Sequence, residues 1–120
     1  MRQGACDAMP IKTDEYNNVC VLGLSGDLIG EDCALLRKQV EDLIDKKQII
    51  DFVVDLEKTG FIDSEGLEAL LWLKRKAEDL FGQMKLAAAD ENVRKILEIT
   101  RLEPRFEVHP DLPTALKTMR

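Results

Sequence analysis

A chain of 120 residues, 45% hydrophobic and 33% charged, is long enough to bury one core and too polar for a membrane span. Its 17 Lys and Arg against 23 Asp and Glu leave a formal charge of −6 at pH 7, which repels a phosphate backbone and argues against direct nucleic-acid binding. No apolar run reaches the ~18 residues that a bilayer requires, and Met1-Arg2-Gln3-Gly4-Ala5-Cys6-Asp7 has no hydrophobic signal segment, so a cytoplasmic protein without membrane insertion is expected.

Residues 1–9 show no periodicity and are expected to form a flexible leader, with one domain over 10–120. Ile11 to Tyr16 and Val19 to Leu24 suit strands, and Asn17-Asn18 between them tolerates the positive φ of a tight hairpin. After the loop Ser25 to Gly30, Leu36, Val40, Leu43 and Ile44 recur at helical spacing and predict a helix over 32–46, with Leu35 widening its stripe. The nearly continuous apolar run Ile49 to Leu56 predicts a strand covered on both faces.

A second helical stripe follows through Leu67, Leu70, Leu71, Ala77, Leu80 and Phe81, with Gly82 expected as its left-handed stop. Met84 to Ala89 predicts another strand, and Asp90 the cap of a third helix whose inner face is Val93, Ile96, Leu97 and Thr100. A short strand over Arg105 to Val108 is expected next. Asp111 then caps a last helix with Pro113 in its first turn and Ala115, Leu116 and Met119 inward. Alternating strands and helices imply an α/β domain with a mixed, mainly parallel sheet of four to five strands packed by helices.

The residues argue against enzyme chemistry chiefly by what they lack. The only histidine is His109, and no Gly-x-Gly-x-x-Gly or Gly-Lys-Ser/Thr phosphate loop occurs. Cys6, Cys20 and Cys33 are widely spaced without a Cys-x-x-Cys pair, and Cys20 and Cys33 sit among apolar residues, so no metal or cofactor is expected. A phosphoacceptor receiver domain would suit the length and the strand ending near Asp55. It needs an acidic pair after the first strand and a late lysine at a strand end, whereas Asp14-Glu15 and Lys85 fall inside strands.

One segment stands apart: Asp55-Leu56-Glu57-Lys58-Thr59-Gly60-Phe61-Ile62-Asp63-Ser64-Glu65-Gly66-Leu67 joins a buried strand to an amphipathic helix. Ser64 falls where unpaired backbone N–H groups gather, so it suits either an N-cap or a phosphate acceptor at the helix start. A phosphate there would add a charge of about −1.5 to −2 and make the position a charge switch.

Asp63-Ser64-Glu65-Gly66-Leu67 after that strand, with Leu24-x-Gly26 upstream and Gly82-x-Met84-x-Leu86 downstream, resembles the STAS domain of anti-sigma factor antagonists and sulfate transporter tails. The resemblance spans about Ile11 to Met119 and implies a small sheet packed on one side by helices. For an antagonist it implies binding to an anti-sigma factor that is also a serine kinase, which phosphorylates the serine after the motif aspartate, and a serine phosphatase that reverses this. Mapped onto this chain, the phosphoacceptor is Ser64, with Asp27, Ile29, Asp63, Ser64, Glu65 and Gly66 at the partner site and Gly66 keeping the helix start open. Glu65 stands where many antagonists have a second Ser or Thr, and Ile29 where many have Asp; Asp27 and Glu31 are the nearest acidic substitutes. The alternative implied by the same family is a cytoplasmic subunit of a lipid or anion transport system, without a phosphorylation cycle.

Overall fold

The computed structural model describes residues 11–16 and 18–119; the expected leader at 1–9 and Cys6 lie outside them. Strands β1 (Ile11–Tyr16) and β2 (Val19–Ser25) pair antiparallel with Tyr16 opposite Val19, and Asn18 takes the positive φ of 71° that this tight connection demands. From β2 onward the chain alternates: α1 (Asp32–Lys47), β3 (Asp51–Lys58), α2 (Ser64–Asp79), β4 (Met84–Ala87), α3 (Glu91–Ile99), β5 (Val108–His109) and α4 (Leu112–Lys117). The five strands lie in the order β1-β2-β3-β4-β5, parallel after the first pair.

That order decides where the helices lie. Each crossover steps one strand in the same direction, and a right-handed crossover in a constant direction returns every helix to the same face. Accordingly Leu36, Val40 and Leu43 of α1, Leu67, Leu70 and Leu73 of α2, and Val93 and Leu97 of α3 share one core with Leu22, Phe52, Val54 and Leu86 of the sheet. The alternate strand residues Val19, Val21, Val53 and Ala87 face the other way and are covered by Ala115 and Met119. The sheet is therefore packed on both faces, not one, because α4 follows the last strand and is bound by no crossover rule.

Lys85 belongs to this second face and is buried there. Its ammonium is satisfied by Glu107 Oε2 at 2.8 Å and Thr118 Oγ1 at 2.7 Å, which ties the end of α4 to β4. Lys85, then His109, hold the Glu107 carboxyl below its ordinary range by hydrogen bonding. The stability this contact contributes is complete above the ordinary carboxylate range and is lost as pH falls through the depressed value.

Several boundaries differ from the sequence reading for local reasons. β3 starts two residues later and ends two later, because Gln48 turns left-handed at φ 55° to close α1. β4 stops at Ala87, where Ala88 enters the left-handed region at φ 58°. The last strand is Val108–His109, since Glu103–Arg105 instead forms a 3-10 turn around Pro104, whose fixed φ fits it. Thr100, expected inward, is exposed and returns its hydroxyl to the Ile96 carbonyl.

The end of α2 corrects two expectations at once. Phe81, read as part of the buried stripe, is 96% exposed and is itself the left-handed residue at φ 65°. Gly82 is required for another reason: a Cβ there would lie 1.9 Å from the Ile50 carbonyl oxygen. Phe81→Gly should therefore be neutral or stabilising by up to about 1 kcal/mol, as left-handed strain is relieved. Gly82→Ala should destabilise by about 1–3 kcal/mol, the usual range for forced overpacking. Urea unfolding of the two variants checks the contrast.

Candidate functional site

The β2–β3 pairing does not end with the strands. Beyond Ser25, the Gly26 amide donates to the Lys58 carbonyl at 3.1 Å, Leu28 to Phe61 at 3.0 Å, and Asp63 back to Leu28 at 3.3 Å. Leu28 and Ile62 form an isolated parallel bridge and are both buried, whereas their neighbours Ile29 and Phe61 are 41% and 49% exposed. Two loops at the C-terminal ends of neighbouring parallel strands are thus joined into one ribbon with an apolar underside and a partly apolar outer face. Gly26 and Gly30, at φ 120° and 50°, supply the left-handed turns that let the first loop follow the second.

Asp63 closes the ribbon onto α2. Its backbone is extended, and its Oδ1 accepts from the Gly66 amide at 2.8 Å, the N-cap bond that satisfies an otherwise unpaired helix donor. Its Oδ2 accepts from the Gly30 amide at 3.1 Å in the other loop. The cap is therefore Asp63 and not Ser64. Ser64 is the first helical residue and is exposed.

Gly66 is buried, and a Cβ on it would stand 2.4 Å from the Leu28 carbonyl oxygen and 2.6 Å from Ile62 Cγ2. The glycine lets α2 approach the ribbon closely; it does not form part of the open surface. Of the residues singled out from sequence, Asp27, Ile29, Ser64 and Glu65 are exposed on this end of the domain, Asp63 is half-buried between the loops, and Gly66 lies beneath them. Phe61 is an exposed member that the sequence reading left as an ordinary apolar residue. Its alternation with Ile62, matching that of Leu28 and Ile29, was the signal.

Next to this ribbon a groove of about 410 Å³ runs between α1 and α2, lined by Glu31, Cys33, Arg37, Glu65 and Glu68 among others. Arg37 lies over the Trp72 ring at 5.9 Å from its centroid, so its charge rests against an aromatic face of α2. Burial, reinforced by the Asp63 and Glu65 carboxylates, pushes the Cys33 thiol up from its ordinary value. Cys20, within the core, is pushed up to about 11, mainly by burial. Both thiols are protonated at neutral pH and are poor nucleophiles. Among the described residues no group of three His, Cys, Asp or Glu could hold a metal ion.

Chemically the arrangement offers a hydroxyl on a helix N-terminus, where the dipole accepts negative charge, set in an acidic surface with two exposed apolar side chains. It is suited to recognition and to modification by another protein.

Comparison with known proteins agrees with this geometry. A family model described as STAS domain matches residues 10–115. The chain is 24% identical over 102 residues to an anti-sigma F factor antagonist of Paenibacillus polymyxa, covering 85% of each. A crystal structure of an anti-sigma factor antagonist from Mycobacterium paratuberculosis superposes with a TM-score of 0.77 at 24% identity, covering 98% of this chain and 99% of that one. The Bacillus cell fate determinant SpoIIAA in its phosphorylated form does so with a TM-score of 0.73 at 20% identity, covering 92% and 100%.

Gly66→Ala tests the close approach. It should cost about 1–3 kcal/mol in urea unfolding and shift the Leu28 and Ile62 resonances, because the added methyl must displace backbone and not a flexible side-chain end.

Proposed function

The chain belongs to the STAS domain family, and from that premise we propose that it is an anti-sigma factor antagonist that binds an anti-sigma factor with serine kinase activity and is switched by phosphorylation of Ser64. The observation that supports this most is the placement of Ser64: an exposed hydroxyl at the first position of α2, beside a ribbon that presents Ile29 and Phe61. A partner docking on that ribbon covers the hydroxyl and brings it to an active site. The relative from Paenibacillus polymyxa is named as an antagonist, and the phosphorylated SpoIIAA shares the fold.

In this reading Asp27, Ile29, Ser64 and Glu65 form the partner surface with Phe61, and the protein itself has no catalytic role, works in the cytoplasm and needs no cofactor. The unmodified protein binds the anti-sigma factor and releases the sigma factor. Phosphate on Ser64 adds about −1.5 to −2 charge beside Asp63 and Glu65, in a contact that must exclude water, and the complex separates. A serine phosphatase restores the binding form. Ile29 replaces an acidic group with an apolar contact, so in this chain docking depends more on buried apolar area and less on that charge.

Ser64→Asp should weaken binding to the kinase-type partner by at least about 1 kcal/mol, roughly fivefold in Kd, while Ser64→Ala binds and resists phosphorylation. Melting temperatures of both should stay near the parent's, because the helix N-terminus accommodates the new carboxylate. Titration calorimetry and amide shift mapping check this. Wild-type affinity for Ser64→Asp, or a partner that shifts neither 25–32 nor the start of α2, would contradict it.

A further inference from the structure

Among the described residues, Asp63 is a side chain whose hydrogen bonds join the first loop of the ribbon to the start of α2. The bonds between the two loops at Gly26, Leu28 and Asp63 are backbone to backbone, and they stop at Leu28. Past that point the Ile29, Gly30 and Glu31 carbonyls accept from the first turn of α1, and among the described residues the hydrogen bond that ties this segment to α2 runs from the Gly30 amide to Asp63 Oδ2 at 3.1 Å. Gly30 sits at φ 50° and opens directly into the first turn of α1 through the bond from the Cys33 amide to its carbonyl. Because the acceptor is a carboxylate, this bond is stronger than a neutral one.

We propose that Asp63 is a positioning residue: its second carboxylate oxygen fixes the Ile29-Gly30-Glu31 segment against α2, so that Ile29 and Ser64 are presented as one rigid surface, while its first oxygen independently caps the helix. The carboxylate has both oxygens turned inward to backbone amides, so it acts through the loop and not by touching the partner. This deepens the antagonist reading and rests on it for the affinity arm alone.

The two oxygens can be separated. Serine caps helices about as well as aspartate but has one oxygen and a shorter reach, so Asp63→Ser keeps the bond to Gly66 and loses the bond to Gly30. In the full chain, hydrogen exchange at the Gly30 amide should accelerate by about tenfold or more, as expected for loss of a charge-assisted bond, while Gly66 stays within about twofold of the parent. Binding to the kinase-type partner should weaken by about tenfold at a nearly unchanged melting temperature, because the free loop must be ordered again on docking. Asp63→Ala, which loses both bonds, should accelerate exchange at both amides.

Unchanged Gly30 exchange in Asp63→Ser would overturn the proposal, as would faster Gly30 exchange with parental affinity. Equal acceleration at Gly30 and Gly66 would overturn it too, by showing a purely structural cap. If the parent itself binds no kinase-type partner, the preceding functional reading fails, and the exchange at Gly30 and Gly66 still decides whether Asp63 positions the loop.

Discussion

Everything at the functional end of this domain depends on β2 and β3 continuing to pair after they have stopped being strands. Parallel neighbours joined by a helix normally diverge at their ends, and each loop then finds its own path. Here Leu28 and Ile62 bridge with both side chains buried, and the backbone bonds on either side keep the loops in register. The loop after β2 is thereby carried to the start of α2, where Gly66 has no side chain to hold it off. A motif that looks linear in the sequence, Asp63 to Gly66, is in space the junction between two loops.

That junction distributes tasks among adjacent residues by the direction each one faces. Asp63 points inward and spends its charge on two amides; Gly66 is buried and provides closeness; Ser64 and Glu65, between them, point outward. A phosphate on Ser64 would meet a helix dipole that tolerates it and carboxylates that do not, so its main effect falls on whatever approaches from outside. The core under α2 is made by Leu67, Leu70 and Leu73, while Ser64 itself is exposed, so a charge added there would be met by solvent or a partner before the core.

Much of this was legible beforehand, and the parts that were not share a cause. Leu36, Val40 and Leu43 of α1, Val93 and Leu97 of α3 and the caps Asp90 and Asp111 follow from periodicity and side-chain chemistry, and the structure has them, whereas Leu35 and Thr100, expected on the same stripes, are exposed. The alternating strands and the element order likewise follow from local pattern. What pattern could not supply is which atoms meet across the chain. Gly82 reads as a helix stop, and only its approach to Ile50 explains it; Phe81 reads as core, and only the left-handed turn explains why it is outside. Ser64 reads as an N-cap or a phosphate acceptor, and the bond from the Gly66 amide to Asp63 Oδ1 gives the cap to Asp63, whose other oxygen meets Gly30, 33 positions away. The inward face expected for α4 does not say which side of the sheet it meets, and the strand residue Lys85 becomes its anchor only through Thr118 and Glu107, distant in sequence.

The most direct test of the central claim is to isolate the tagged protein from its native cells in unmodified and phosphorylated pools, map the phosphate by tandem mass spectrometry, and identify what each pool retains. The account predicts phosphate on Ser64, an anti-sigma factor with a kinase domain bound to the unmodified pool, and none bound to the phosphorylated one. Retention of the same partner by both pools, or phosphate absent from Ser64 while a transport ATPase is bound, would contradict it.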